Sequence, residues 1–581
     1  MPDTSTIPSN QPRSAVTFSV LSDGQKLPDS IPVLSIVVQK QVNRLPSATI
    51  LVQDGDAATG TFAHSNSDLL VPGKSIEIKA GHRNDEETIF KGLVIRHSAK
   101  VRSTVSLLVI ECRHEAVKMT AHRKNAYFAD MNDGDVASQL CSGHGLSLNT
   151  SGSTLQHKQL VQYNSTDWDF MLCRAEANGA WLVAADDGLY WQPPNFGQEP
   201  VLTAQYGATI KDLDAEIDSR LQYEGWKAIG WNPDEQELID NPEGAEPSMP
   251  AAGNLAATDL ATAAGNQTLE LRHSSLPETE LKKWADAAQQ KMRLTKIRGK
   301  VRIDGSAQPQ PGKVLELSGA GERFDGRVMI SGVRHQIERN SWETTIQFGE
   351  TPQWHAEVFD VAPLPAGGLV PHIHGLQVGV VTSLEDPEGG ERVQVRMPMV
   401  SGTDDGAWMR LGTLDAGKDR GFIFRPEIDD EVIVGFINDD PRYGVVLGRL
   451  HSAKNTAPIA ASNDNHHKGY VSRSDMQVLF DDEKKIMTLS TPGGHKVVLD
   501  DDAQSITAQD SHGNKLVMDK DGITMESIKD VKITASADIK AEAGANAIIK
   551  AGASAKVEGS GTAEISSGGN TTVKGAMVAI N

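Results

Sequence analysis

A period of eight residues governs the end of the chain. Stepping by eight from Met525 meets Ile533, Ala541, Ile549, Val557, Ile565, Val573 and finally Asn581, a file of bulky apolar residues or alanine that slips only at the last position. A second file starts two residues earlier with Ile523, Val531 and Ile539 and runs through Ala547, Ala555 and Ala563 to Thr571 and Ala579. Two residues after the first comes a third file of small residues: Ser527, Ala535, Ala543, Ala551, Gly559, Ser567 and Gly575. Same-face spacing of two is the strand period, and eight residues are too few for a solenoid coil with its own core. Each octad therefore supplies one short strand and a turn. Three chains wound about a common axis would give three walls, enclose Met525, Ile533, Ile549, Val557, Ile565 and Val573, and leave no free strand edge. The small third file fits the corners, and Lys540, Lys550, Lys556, Glu558 and Lys574 face solvent. An amphipathic helix is the competing pattern for the alanine-rich stretch. Period eight does not hold a helical stripe in register, and Gly544, Gly552, Gly559, Gly561, Gly568 and Gly569 would each cost a helix about 1 kcal/mol.

A repeat of nineteen precedes the octads. Met476 to Gly494 reads MQVLFDDEKKIMTLSTPGG, followed by HKVVLDDDAQSITAQDSHG from His495 and NKLVMDKDGITMES from Asn514. Each unit predicts an apolar strand, an acidic turn at Asp481, Asp500 or Asp519, and a second strand, hence stacked β-hairpins widening the shaft at its base. The aspartates lack the alternating ligand spacing of a calcium loop and read as solvated turns. Further upstream, GLQVGVVTS, ERVQVRMPM, AWMRLGT, EVIVGFI and YGVVLGRL are short strands separated by Gly/Asp/Pro turns within Pro371 to Leu450. They predict a small barrel of OB type. Its sequence offers almost no basic or exposed aromatic stacking surface, which favours a structural role over nucleic-acid or sugar binding.

Composition narrows the rest. A chain of 581 residues exceeds one core and implies three to five domains. Aromatics at 5% and 53 glycines favour short strands and tight turns. A formal net charge of −21 argues against nucleic acid or an anionic membrane as an equilibrium partner. No apolar run is long enough to span a bilayer, and Met1 to Val16 carries no apolar core of a signal peptide, so a protein made in the cytoplasm is expected. Cys112, Cys141 and Cys173 are far apart and read as buried free thiols.

Candidate chemistry is sparse. The sequence contains no nucleophile elbow, HExxH, Walker loop or dinucleotide fingerprint in a strand-helix context, so no enzyme, catalytic residue or cofactor is expected. His372 and His374 form an H-x-H before the barrel, and His466 and His467 lie before the shaft. Tripled about an axis they could ligate zinc or iron, but solvent-facing linker residues are the plainer reading and no metal is expected.

At the barrel the chain resembles the VgrG family, the spike proteins of type VI secretion and related phage-like contractile injection systems. Gly390-Glu391-Arg392-Val393-Gln394-Val395-Arg396 is similar to the family's GRVKVRF strand. Trp408, Arg410, Ala416-Gly417, Gly421, Pro426-Glu427, Asp430-Glu431-Val432, Phe436, Asp440-Pro441 and Gly448 follow its run, and Val557-x-Gly559 and Val573-x-Gly575 resemble the V-x-G octads of the phage spike. Upstream, Phe90-Lys91-Gly92-Leu93-Val94, the stretch Val117 to Phe128 and Ser165-Thr166-Asp167-Trp168-Asp169-Phe170 through Gly179-Ala180 look like family elements, more weakly.

The resemblance implies a mainly β homotrimer: a flexible N-terminus (1–15), a hub of barrel-like β domains with inserted helices (16–364), an OB-fold domain (371–455), a neck (456–475), β-hairpin repeats (476–522) and an intertwined triple-stranded β-helix (523–581). It implies a central spike and baseplate hub that meets an inner-tube ring and baseplate proteins, carries effector cargo, and binds a PAAR-repeat tip protein at Val578, Ala579, Ile580 and Asn581. Assembly in a contractile particle and transient contact with the target membrane would follow. The phage counterpart carries a muramidase between barrel and shaft, whereas here only His451 to Tyr470 intervenes, and the octads run to Asn581 with no effector domain after them. A cell-wall-degrading tail enzyme and a glycan-binding receptor spike are the rival readings. The sequence leaves open which machine the spike would serve.

Overall fold

The computed structural model describes residues 15–151, 155–240, 242–249, 252–339 and 341–580. It divides into two compact units, one running to Ile373 and including Asn438–Asp440, the other holding His374–Ile437 and the residues from Pro441 onward. Both are mainly β.

The first unit is organised by one thirteen-stranded sheet. Its strands follow the two-residue period: in Ser47–Gln53, Ala48, Ile50 and Val52 are buried while the intervening residues are not. Strands from the two ends of this unit meet at its centre, where Gly332 to Glu338 pair antiparallel with Ser35 to Gln41. The two β halves thus join in a single sheet, each over its own core: Ile36, Ile50, Ile78, Phe90 and Ile110 in one, Leu202, Val301, Leu315, Ile330 and Ile346 in the other.

Helices are inserted between the halves, and their starts follow from capping. Asn132 accepts the Asp135 amide to begin Asp133–Ser142, and Thr166 accepts the Asp169 amide to begin Asp167–Ala177, with acidic residues in both first turns. Gly179 turns the chain out of the second helix at φ +65°, and a Cβ there would lie 3.3 Å from Ala287, so glycine lets Glu278–Leu294 approach closely. Ion pairs fix these helices. Arg174 donates to Asp133 at 2.6 Å and to Glu280 at 3.1 Å, while Asp133 also faces His157 and Asn178. Burial pushes the Asp133 carboxyl up, but Arg174, His157 and Asn178 outweigh it and hold the group below its ordinary range. Lys291 bridges Glu176 at 3.1 Å and Glu350 at 2.8 Å, all three being buried.

The second unit begins with a closed five-stranded barrel of Gln377–Ser383, Arg392–Arg396, Ala407–Leu411, Glu431–Phe436 and Gly444–Arg449. Around the barrel the order is first, second, third, fifth, fourth, with the third and fifth strands parallel. This is the OB arrangement read from the sequence. Val381, Val393, Val395, Met409, Val432, Val434 and Val446 fill it. Gly406, at φ +92°, would place a Cβ only 2.1 Å from the Val395 carbonyl, which excludes any other residue there.

One buried group in the hub makes a pH dependence. His335 is fully buried opposite Val38, and its Nδ1 lies 3.1 Å from the Thr344 hydroxyl, which itself donates to the Ser306 carbonyl. The imidazole must therefore donate from Nδ1, and Nε2 is left buried without a partner. Burial, reinforced by the charge of Lys40, pushes the His335 pKa down from 6.5 to about 3. The folded hub holds this ring neutral while the unfolded chain protonates it, so its contribution is intact above the unfolded value and is lost as pH falls toward 3. Between the unfolded value of 6.5 and about 3, stability should drop by up to about 1.4 kcal/mol per pH unit through this residue alone. Urea unfolding of the protein and of His335→Gln between pH 7.5 and 4.5 checks it: the stability gap between them should narrow with acid, and parallel slopes would show that His335 titrates normally.

Candidate assembly surface

Seven antiparallel strands follow the barrel: His467–Val471, Gln477–Asp481, Ile486–Ser490, Lys496–Asp500, Ser505–Gln509, Lys515–Asp519 and Gly522–Glu526. The first lies in the segment expected as neck, and the last takes Met525 into the sheet, opposite Leu516. Aspartates set the turns. Asp481 accepts the Glu483 and Lys484 amides, Asp500 that of Ala503 and Asp519 that of Asp521.

The ladder register sorts the side chains onto two faces. Val478, Leu489, Val497, Ala508, Leu516 and Met525 stand opposite one another in one row. Two residues along, Phe480, Met487, Leu499, Ile506, Met518 and Ile523 form a second row on the same face. Tyr470 heads the first row, opposite Val478. The reverse face carries a mixed central row of Leu479, Thr488, Val498, Thr507, Val517 and Thr524, with Ile486 among flanking Asp, Lys, Gln and Ser residues. Every residue of the apolar face is at least partly exposed, and a groove of about 780 Å³ runs along it past Met476, Leu489, Val497, Ala508, Leu516 and Met525. An apolar surface of this extent is a candidate for contact with a partner.

Beyond Glu526 the described backbone forms no helix and no strand paired within the chain. It bends at 528–529, 536–537, 544–545, 552–553, 560–561, 568–569 and 576, every eight residues and always just after a member of the small-residue file. The apolar file stays open to solvent: Ile549 is 88% exposed and Ile565 82%, and Ile533, Val557 and Val573 are alike. Val578, Ala579 and Ile580 are also exposed, whereas Asn581 lies outside the described residues.

His372, His374 and His467 are exposed, and His467 lies 4.0 Å from Asp481. Among the described residues no group of three or more potential ligands could hold a metal. The sequence reading of the barrel surface needs correction: Phe422, Phe424 and Tyr443 are exposed. Their spacing carries no strand period because they lie in turns, so no pattern marked them as outward-facing. The buried ion pairs of the hub were equally invisible, since Arg174 and Asp133 meet only through the fold.

Two family models match the chain. That described as the Alg8 N-terminal domain covers residues 12–339, more than half of the sequence. The chain belongs to the Alg8 N-terminal domain family. The second, the type VI secretion system/phage-baseplate injector OB domain, matches residues 377–451 and coincides with the closed barrel of this Alg8-family chain. The chain is similar to the type VI secretion system spike protein VgrG1b of Pseudomonas aeruginosa, 24% identical over 361 residues, 56% of this chain and 46% of that protein. VgrG3 of Vibrio cholerae, also a type VI spike protein, is 33% identical over 101 residues, 16% of this chain and 10% of its own length. The chain thus spans less than half the length of these curated relatives. A solved E. coli component of the type VI secretion system covers 74% of this chain and 99% of its own, at 14% identity and a TM-score of 0.38.

The face assignment is testable. Leu489→Asp places a carboxylate on the apolar rows and should destabilise the sheet by roughly 2–5 kcal/mol if a neighbour covers it. Ser490→Asp, on the reverse face opposite Lys496, should change stability by no more than about 0.5 kcal/mol. Amide exchange across 477–526 reads both. Equal protection in the two variants would mean that nothing packs on the apolar face.

Proposed function

We propose that three copies of this chain form the central spike and hub of a contractile injection system, linking its inner tube to a tip protein and breaching the target envelope to deliver effectors. The observation that carries this reading is the pair of uncovered apolar surfaces, the sheet rows and the octad file, which continue one another along the chain and which none of the described residues covers. Winding three copies together encloses both, with the bends every eight residues as corners. The likeness to type VI spike proteins and the matched injector OB domain support the setting. The hub is assigned to the tube ring and baseplate, and the exposed end at Val578 to Ile580 to a PAAR-repeat tip.

Within this reading the chain acts mechanically and not as an enzyme. Three intertwined strands come apart only together, so the shaft resists unfolding kinetically as well as thermodynamically, which suits a part loaded along its axis. The protein is placed in a particle baseplate after synthesis in the cytoplasm.

Light scattering on the native protein should give about three times 62.5 kDa, persisting in detergent and losing that resistance when residues beyond Asp521 are removed. Particles assembled with the shortened chain should contract yet fail to kill target cells. A stable monomer would end the spike reading, and peptidoglycan turnover by the purified protein would put a wall hydrolase in its place.

A further inference from the structure

Between the third and fourth barrel strands the chain makes a long excursion, residues 412–430, that the barrel does not need in order to close. It holds a two-residue hairpin, Ala416–Gly417 against Arg420–Gly421, and then turns outward. Five large apolar side chains stand on it: Leu414, 90% exposed, Ile423, 73% exposed, and Phe422, Phe424 and Ile428, each about half exposed. The loop is held in one shape. Thr413 donates to the Phe422 carbonyl at 2.9 Å, the Phe422 amide donates to the Asp415 carbonyl at 2.9 Å, and Arg449 donates to the Phe424 carbonyl at 2.8 Å. An apolar cluster fixed outward by its own backbone bonds is preorganised for a partner.

Two observations identify the partner. The first is continuity: the ring of Phe424 packs edge-on against Tyr470 with centroids 4.9 Å apart, and Tyr470 heads the apolar row of the sheet. The loop cluster is therefore the upper end of the surface that the sheet and octads carry. The second is charge. Asp415 is paired with Arg420, Glu391 with Arg425 and Glu427 with Arg473, while Lys418, Asp419 and Asp429 stand exposed on the turns of the same loop. The three pairs lower the charge that two copies of a −21 chain would bring together beside the apolar cluster.

We propose that the 412–430 loop is a copy-to-copy contact, so that the threefold interface starts at the barrel, above the hairpin sheet, and the loop seats each barrel against its neighbour. This rests on the trimeric reading. The loop then sets the register in which the octads wind, because it fixes the copies relative to one another before the shaft closes.

The test uses the full chain with Leu414→Cys or Ile423→Cys, and Thr403→Cys on an exposed turn outside the cluster as reference. The native thiols are quiet, since burial pushes Cys112 and Cys141 up to about 12 and Cys173 to about 11. In protein that light scattering shows to be three copies, maleimide labelling at 414 and 423 should be at least ~10-fold slower than at 403, and equal to it in denaturant. Labelling as fast as the reference in a three-copy assembly overturns the loop contact and leaves the trimer standing. A single-chain mass overturns the reading beneath it. Slow labelling only in whole particles would give the loop to another baseplate protein, which also overturns the proposal. Should cysteine at these sites disturb folding, amide exchange in the unaltered chain, read only at those amides of 413–424 that make no bond within the loop, decides the same question: protection there in the three-copy assembly supports the contact, and rapid exchange refutes it.

Discussion

The constraint on which the second half of this protein depends is that its strands are too short and too one-sided to bury their own apolar residues. Twelve apolar side chains stand on one face of the hairpin sheet, and full burial of a large aliphatic side chain is worth about 1.5–3 kcal/mol. These side chains are already partly covered, so leaving the rest of that face open forfeits a sum on the order of the ordinary net stability of a domain, about 5–15 kcal/mol. The octads are more extreme, because beyond Glu526 the chain has no ladder of its own. In the proposed trimer, folding and association of these segments become one event, and the stiffness of the shaft is a property of the assembly.

The hub solves the opposite problem. It buries two large cores under one sheet and then fixes its inserted helices with charge. Lys291 holds Glu176 and Glu350 together, and Trp181 donates to Glu350 at 2.9 Å, so the strand after the second helix and the end of the sheet share one polar centre. Burial pushes Glu350 upward against the pull of Lys291. Such centres add little net stability over apolar packing, but they accept few alternative arrangements. The segment leaving the hub is tied down in the same way: His355 bonds Asp169 at 2.9 Å, and Arg123 reaches the Asp360 carbonyl at 2.9 Å. In the proposed role, a platform that transmits axial force gains from this kind of geometric definition more than from extra stability.

How much of this could be read beforehand depended on how far apart the interacting residues lie. The octads were legible because period eight is written along the backbone, and the bends fall in step with it. The five barrel strands were legible because each alternates and ends in a Gly, Asp or Pro turn. The stretch Ser165 to Ala180 was legible only as resembling a family element, and the Thr166 cap that starts its helix came from the structure. The hub sheet was not legible as one sheet, since its central pairing joins Val38 to His335 across most of the unit. Nor did pattern reveal Phe422 and Phe424 as exposed, for turns have no face-defining period. The length of the hairpin sheet was only partly visible: the register that places Ile523 opposite Met518 is a pairing fact, and the octad count by itself runs smoothly across it.

That overlap between the two repeats has a physical use. Ile523 and Met525 belong to the octad files and also close the last hairpin, so the rows of the sheet pass into the files of the shaft without an apolar gap. A sheet of paired strands satisfies its backbone within the chain, whereas in the proposed trimer the octads satisfy theirs between chains. Placing the changeover at a strand that does both lets each copy arrive with an ordered edge already formed. The shaft can then propagate from a fixed start, one octad at a time, which removes the entropic penalty of finding register among nearly identical repeats. The Phe424 to Tyr470 contact extends the same logic upward, because it anchors the first strand of the sheet to a loop whose shape the barrel sets.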